Sequence, residues 1–163
     1  MSNLFSIKQF NETAIDDYFR SYLFKVSIVN SSEEFKCEWT ANTATPVMVT
    51  SSQLIDYMHT QVKRSGKTLP QQWQVSVRDD SLGNAFNYFN GWRNSIYPHM
   101  TSGLPEYKRV ALIYLFNSAI SNAREYAIYG VWPMEVGSIT LDYESEGISI
   151  FPVTLSFDFF EAR

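Results

Sequence analysis

The chain has 163 residues, 45% of them apolar, 18% charged and 16% aromatic, with four Trp, ten Tyr and twelve Phe against seven Gly and six Pro. That composition predicts one domain with a hydrophobic core and excludes disorder and collagen-like repeats. Thirteen Lys and Arg against seventeen Asp and Glu give a net charge of −4, which excludes a protein that grips nucleic acid by counterion release.

The longest apolar run, Val110 to Phe116, is too short to span a bilayer, and the start Met1-Ser2-Asn3 has no signal pattern. A single cysteine, Cys37, suits a reducing compartment. Synthesis in a cytosol without membrane insertion is therefore expected. Few charges beside many aromatics imply that much of the surface faces other protein.

Residues 1–17 are polar with scattered Phe5, Ile7, Phe10 and Ile15, and are expected to form an N-terminal arm packed on another surface. From Tyr22 the dominant period is two, the mark of half-buried strands. Tyr22, Phe24, Val26 and Ile28 give the apolar side of a first strand; Phe35, Cys37 and Trp39 give that of a second, with Asn30-Ser31-Ser32 as the hairpin turn between them. On that face Cys37 reads as a small buried hydrophobe. Residues 44–69 predict a long hairpin arm with blurred faces: Leu54, Met58 and Val62 share a side with Asp56 and Thr60, while Ile55 and Tyr57 sit opposite.

Trp73, Val75 and Val77 then mark a further strand with one wet face. Leu82, Ala85, Phe86, Phe89, Trp92, Arg93 and Ile96 fall at helical spacing, so an amphipathic helix is predicted over 81–97, capped by Asp79, Asp80 and Ser81 and ending before Pro98. Arg109 to Phe116 and Glu125 to Trp132 are apolar on both faces and read as central strands joined by a polar turn, with Trp132 closing the second and Pro133 stopping its ladder. Ser138 to Tyr143 predicts a short strand, and Phe151, Val153, Leu155, Phe157 and Phe159 form one apolar stripe on a closing strand. The fold class is mainly β (α+β): two packed antiparallel sheets or a partly closed β-barrel, with one amphipathic helix and a long hairpin arm, in a single domain over 1–163. Trp39, Trp73, Phe86, Trp92, Trp132, Pro133 and Phe157 are its expected fold-defining residues.

Constellations that resemble chemistry each lack a part. Ser65-Gly66-Lys67-Thr68 ends like a phosphate-binding loop, but Gln61 stands where the first Gly belongs and a strand follows instead of a helix, so a surface turn is expected. Asp142, Glu144, Glu146 and Gly147 begin like a calcium loop, yet Val153 occupies the closing acidic position, and an acidic turn with Gly147 at positive φ is expected. Cys37 with His59 or His99 makes no credible nucleophile–base pair on an apolar strand, and two histidines support no zinc site. No catalytic residue, cofactor or metal is expected, and an enzyme is the least supported class.

Leu104-Pro105-Glu106-Tyr107-Lys108-Arg109, Gly130-Val131-Trp132-Pro133 with Val136-Gly137, Leu141-Asp142-Tyr143, and Phe151 with Val153 to Phe159 and Glu161 resemble the tail tube proteins of T-even-type contractile phages, which are related to the tube proteins of type VI secretion. Tyr18-Phe19-Arg20 with Leu23 to Val26, and Trp73 to Val77 with Asp79-Asp80, extend the likeness over nearly the whole chain. The resemblance implies six-membered rings that share one inner β-barrel and stack into a hollow tube. Its implied partners are further copies of the chain, a tail sheath protein, a tape-measure protein, baseplate and tail-terminator proteins, and double-stranded DNA that passes through without specific binding. The implied place is a virion tail, assembled in the host cytoplasm.

A DNA conduit must not attract its cargo, so a lumen neutral to acidic is expected. Phe5, Phe10, Met48, Leu54, Tyr57 and Met58, on two segments a self-contained domain could not bury well, are the expected contacts between subunits or rings. A tube-end initiator or adaptor and a secretion-system tube are the related alternatives. A monomeric small-ligand-binding β-barrel is the alternative of a different class.

Overall fold

Alternation of period two governs the chain, and the computed structural model, which describes residues 20–29, 35–99, 107–117 and 119–163, turns it into nine strands and one helix. The strands are β1 (Phe24–Val29), β2 (Thr40–Thr43), β3 (Met48–Tyr57), β4 (Thr60–Pro70), β5 (Trp73–Arg78), β6 (Arg109–Phe116), β7 (Asn122–Val136), β8 (Ile150–Ser156) and β9 (Phe159–Ala162); the helix, α1, is Asn84–His99. Seven strands form one antiparallel sheet in the order β1-β6-β7-β8-β5-β2, with β9 also on β7, while β3 and β4 pair separately.

The long strand β7 folds this sheet into two leaves. Its first part pairs with β6 and β9, and its last part, from Trp132, pairs with β8. The change of partner falls at Gly130, whose φ is +69°. A Cβ there would run into the Asp158 carboxylate, which itself holds Lys108 Nζ at 2.8 Å. Only a residue without a Cβ meets both demands cheaply. Facing positions of the two leaves then share one core, with Val26, Ile28, Ala111, Ile113 and Ile128 from one and Trp73, Val75, Val77, Phe151, Val153 and Leu155 from the other. Among the described residues β1 and β2 are the edges of the sheet, and they lie on either side of an open cleft of about 380 Å³ lined by Tyr22, Phe24, Thr40 and Asn42. The sheet is therefore a partly closed barrel, the arrangement the alternation implied.

The helix begins where Asp80 Oδ1 accepts hydrogen bonds from the backbone N–H groups of Leu82 and Asn84. The Asn84 N–H is the main reason the Asp80 carboxyl sits below its ordinary pKa, the expected behaviour of a carboxylate that satisfies orphan donors at a helix start. Its buried face is Ala85, Tyr88, Phe89 and Trp92, packed with Phe35 and Trp39 in a ring cluster. Arg109 closes that cluster: its guanidinium lies 4.2 Å from the Trp92 ring centroid and donates to Tyr88 Oη at 2.9 Å. Leu82, expected on the apolar face, is exposed in the turn before α1, and the helix runs past Pro98 to His99.

Five sequence expectations fail. Phe35 to Trp39 is not a strand: Cys37–Trp39 forms a 3₁₀ turn, which buries Phe35 and Trp39 together and leaves Cys37 exposed. The expected hairpin between the first two strands is absent, because β1 pairs with β6 and β2 with β5, at opposite ends of the sheet. Pro133 does not stop its ladder; it is buried within β7 beside a register shift between Pro133 and Glu135, where a missing N–H is tolerated. The closing stripe breaks after Phe157, because the chain bends at Asp158 beside Gly130 before β9 continues along the same edge of β7 as β8, so Phe159 points outward and stacks on Tyr129 at 4.8 Å. Ser138 to Tyr143 likewise forms no strand.

Of the expected fold-defining residues, Trp39, Trp73, Trp92, Pro133 and Phe157 are buried, while Phe86 and Trp132 are partly buried against the core. Trp73 Nε1 donates to Thr43 Oγ1 at 2.8 Å and the Ala44 carbonyl at 2.9 Å, which ties β5 to the segment entering the hairpin.

Candidate assembly surfaces

The motifs that resembled chemistry occupy sites without the geometry for it. Ser65-Gly66-Lys67-Thr68 is not a surface turn but part of β4, at a bulge where the register shifts between Thr50 and Ser52. A Cβ at Gly66 would meet Ser51 Oγ, which would have to turn aside. Asp142 to Gly147 belongs to an exposed loop in which Asp142 Oδ1 accepts from the Glu144 N–H. Positive φ among glycines occurs at Gly83 and Gly130, not at Gly147. Cys37 sits on the 3₁₀ turn, and His59 lies in the turn between β3 and β4. Among the described residues no group of His, Cys, Asp and Glu could hold a metal ion, and no helix is long and apolar enough to cross a membrane.

What the molecule offers instead is uncovered apolar surface, and its largest share is the β3–β4 hairpin. A two-residue turn joins the strands, with Met58 at φ +54°, so residue numbers of opposite parity face one another up to the bulge, Ile55 opposing Val62, Gln53 opposing Arg64 and Tyr57 opposing Thr60, and beyond it the parity changes and Val49 opposes Leu69. Cross-strand partners share a face. One face therefore carries Val49, Ile55, Tyr57, Val62 and Leu69 with Gln53, Thr60 and Arg64; the other carries Thr50, Ser52, Asp56, Gln61, Ser65 and Thr68 with Leu54 and Lys63. The blur in the sequence came from continuing the alternation through the turn, which places Val62 on the wrong side.

Of the expected contact residues, Tyr57 lies on the apolar face, Leu54 on the polar one, and Met58 at the tip, 86% exposed. Met48 lies at the base and packs partly on the core. Phe5 and Phe10 fall outside the described residues. Val49, Ile55, Val62 and Leu69 were missed; antiparallel pairing across a two-residue turn would have grouped the first three, and only the bulge between Thr50 and Ser52 brings Leu69 to the same face.

A second uncovered surface lies at the far end of the same leaf. The hairpin leaves from the Trp73 end of β5, which is paired with Leu155 of β8; the loop 137–149 re-enters at Ile150, opposite Arg78 at the other end of β5. The Asp79 N–H donates to the Ser149 carbonyl at 3.1 Å and holds the loop's end beside the approach to α1. This loop exposes Leu141, Tyr143 and Ile148, the first two at 86% and 109%, and carries Asp142, Glu144 and Glu146 with no Lys or Arg.

Two apolar excursions at opposite ends of a filled, partly closed barrel suit a subunit that meets other subunits. Over 151 residues the chain is 30% identical to the tail tube protein gp19 of Enterobacteria phage T4, and equally to that of Enterobacteria phage T6, covering 89% of this chain and 92% of each relative. The chain belongs to the tail tube protein family. It is thus a structural protein of a tail tube rather than an enzyme or a ligand-carrying barrel. No family model matches the chain.

Among solved structures, the anti-feeding prophage tube terminating cap shares the fold at TM-score 0.69 and 18% identity, over 92% of this chain and 93% of that one. The sheath/tube terminator of an extracellular contractile injection system does so at 0.66 and 18%, over 92% and 99%. The sheath-tube complex of that system follows at 0.61 and 19%, over 94% and 96%. At these identities the likeness concerns the fold.

Proposed function

We propose that the chain builds the main inner tube of a contractile phage tail, as stacked six-membered rings through which the genome passes into the host. The observation that carries this reading is the β3–β4 hairpin, whose side chains are exposed throughout except at Met48, Gly66 and Pro70. A two-stranded ribbon with an apolar face is marginal in water by itself and gains stability when another surface covers it. Among the described residues β1 and β2 are the unpaired edges of the sheet, and they support the same reading, since open edges are satisfied when neighbouring sheets close a ring. The sheath would surround the tube, the baseplate and terminator would cap its ends, and the tape-measure protein would occupy it during assembly.

Passage of DNA requires a lumen that does not bind it. One unpaired Lys per subunit would present six cations in each ring, and each neutralised phosphate steepens the salt dependence by about 0.9 in log units. Of the outward positions of β5 and β8, Gln74, Ser76, Thr154 and Ser156 have the uncharged polar chemistry such a surface needs, Pro152 and Ile150 are apolar, and Arg78, at the last position of β5, is the one cation. Negative-stain microscopy of the purified chain tests the reading: hollow tubes of repeating rings are expected, and a persistent monomer at rising concentration would overturn it. A tube map with a continuous basic lining would overturn the lumen assignment.

A further inference from the structure

The hairpin and the 137–149 loop are complementary in charge as well as placement. The hairpin holds Lys63, Arg64 and Lys67 against one carboxylate, Asp56, whereas the loop holds Asp142, Glu144 and Glu146 with no cation. Both expose apolar side chains around those charges: Ile55, Tyr57 and Val62 on one, Leu141, Tyr143 and Ile148 on the other. They leave opposite ends of β5, six residues long and hence roughly 20 Å from end to end. Two surfaces that complement each other from opposite ends of one molecule cannot meet within it. Between copies they make a heterologous contact, which propagates head to tail without closing.

We propose that the apolar face of the β3–β4 hairpin of one copy docks on the acidic 137–149 loop of the next copy along the tube, with Arg64 and Lys67 set against Asp142, Glu144 and Glu146. This inference rests on the tube reading and names the partner surface that the hairpin meets. Apolar contact supplies adhesion, and the opposed charges set polarity: hairpin against hairpin places like charges together, as does loop against loop, so only one stacking direction is favoured. Each contact can be weak, because copies around a ring repeat it and the repeats reinforce one another.

The test is a charge swap in the full chain. Arg64→Glu with Lys67→Glu, and separately Glu144→Lys with Glu146→Lys, should each lower the sedimenting tube fraction by roughly tenfold or more, with melting temperatures unchanged. The chain carrying all four substitutions should recover tubes to within about twofold of wild type. Tubes that persist in either double variant, or a four-fold variant that stays unassembled while melting like wild type, would overturn the inference and leave the tube reading intact. Wild-type chain that forms no tubes would overturn both. Should any variant fail to fold, a second measurement decides: in tubes of C37S/V62C/Y143C chain, a short bismaleimide should give a ladder of linked copies on a denaturing gel, and its absence would overturn the contact.

Discussion

Strand β5 and the β3–β4 hairpin have the same kind of sequence and opposite fates. In β5, Trp73, Val75 and Val77 alternate with polar residues and are buried; in the hairpin, Ile55 and Val62 do the same across strands and remain 43% and 48% exposed. The difference lies in what stands opposite. The bend of β7 at Gly130 brings a second leaf over β5, and among the described residues no element is placed over the hairpin. Alternation therefore reports that a strand has an apolar face. It does not report whether the cover comes from the same chain or from another.

Stability measurements can break or sharpen that contrast. The largest effect is expected at Trp73, where alanine removes a buried ring and its two hydrogen bonds; unfolding by denaturant should show a loss of about 3 to 5 kcal/mol. Trp132, on β7, is only partly buried, and its alanine variant should lose less. A Trp73 variant as stable as a hairpin variant would remove the distinction between the two regions.

Gly130→Ala tests the bend that makes the difference. Alanine at φ +69°, with the Asp158 carboxylate in its way, should cost roughly 2 to 4 kcal/mol by calorimetry. An unchanged melting temperature would mean that β7 can change partners without that glycine.

Asp80→Ala should lower the melting temperature by a smaller amount, since an exposed cap is lost. The pH dependence has a definite sign. The folded carboxyl lies below its unfolded value, so its contribution is complete above the unfolded pKa and is lost as pH falls through the folded one. Wild type and Asp80→Ala should therefore converge in acid, and a constant gap would contradict the cap.

The smallest effect on the subunit is expected from Ile55→Ser with Val62→Ser, within about 0.5 kcal/mol by denaturant unfolding, because both sites are already exposed. The same variant should lose tubes under the microscope. A large loss of subunit stability would show that the hairpin is covered from within, against the contrast drawn above.

The sequence by itself carried the mainly β class, the single described helix, the long arm and the family resemblance, because each rests on near-neighbour pattern. Alternation, capping carboxylates and motif order are all readable without knowing what packs on what. It also carried the expectation of an assembling surface, from few charges and many aromatics. Tertiary structure alone decided which strands pair, so β1 and β2 became the two edges of a sheet rather than a hairpin. It also decided that Phe35 and Trp39 meet the helix through a 3₁₀ turn, and that the hairpin face comprises Val49, Ile55, Tyr57, Val62 and Leu69. The physical reason is common to all three. Pairing register and burial depend on contacts between residues distant in sequence, and a local period of two is compatible with several registers until the folded chain selects one.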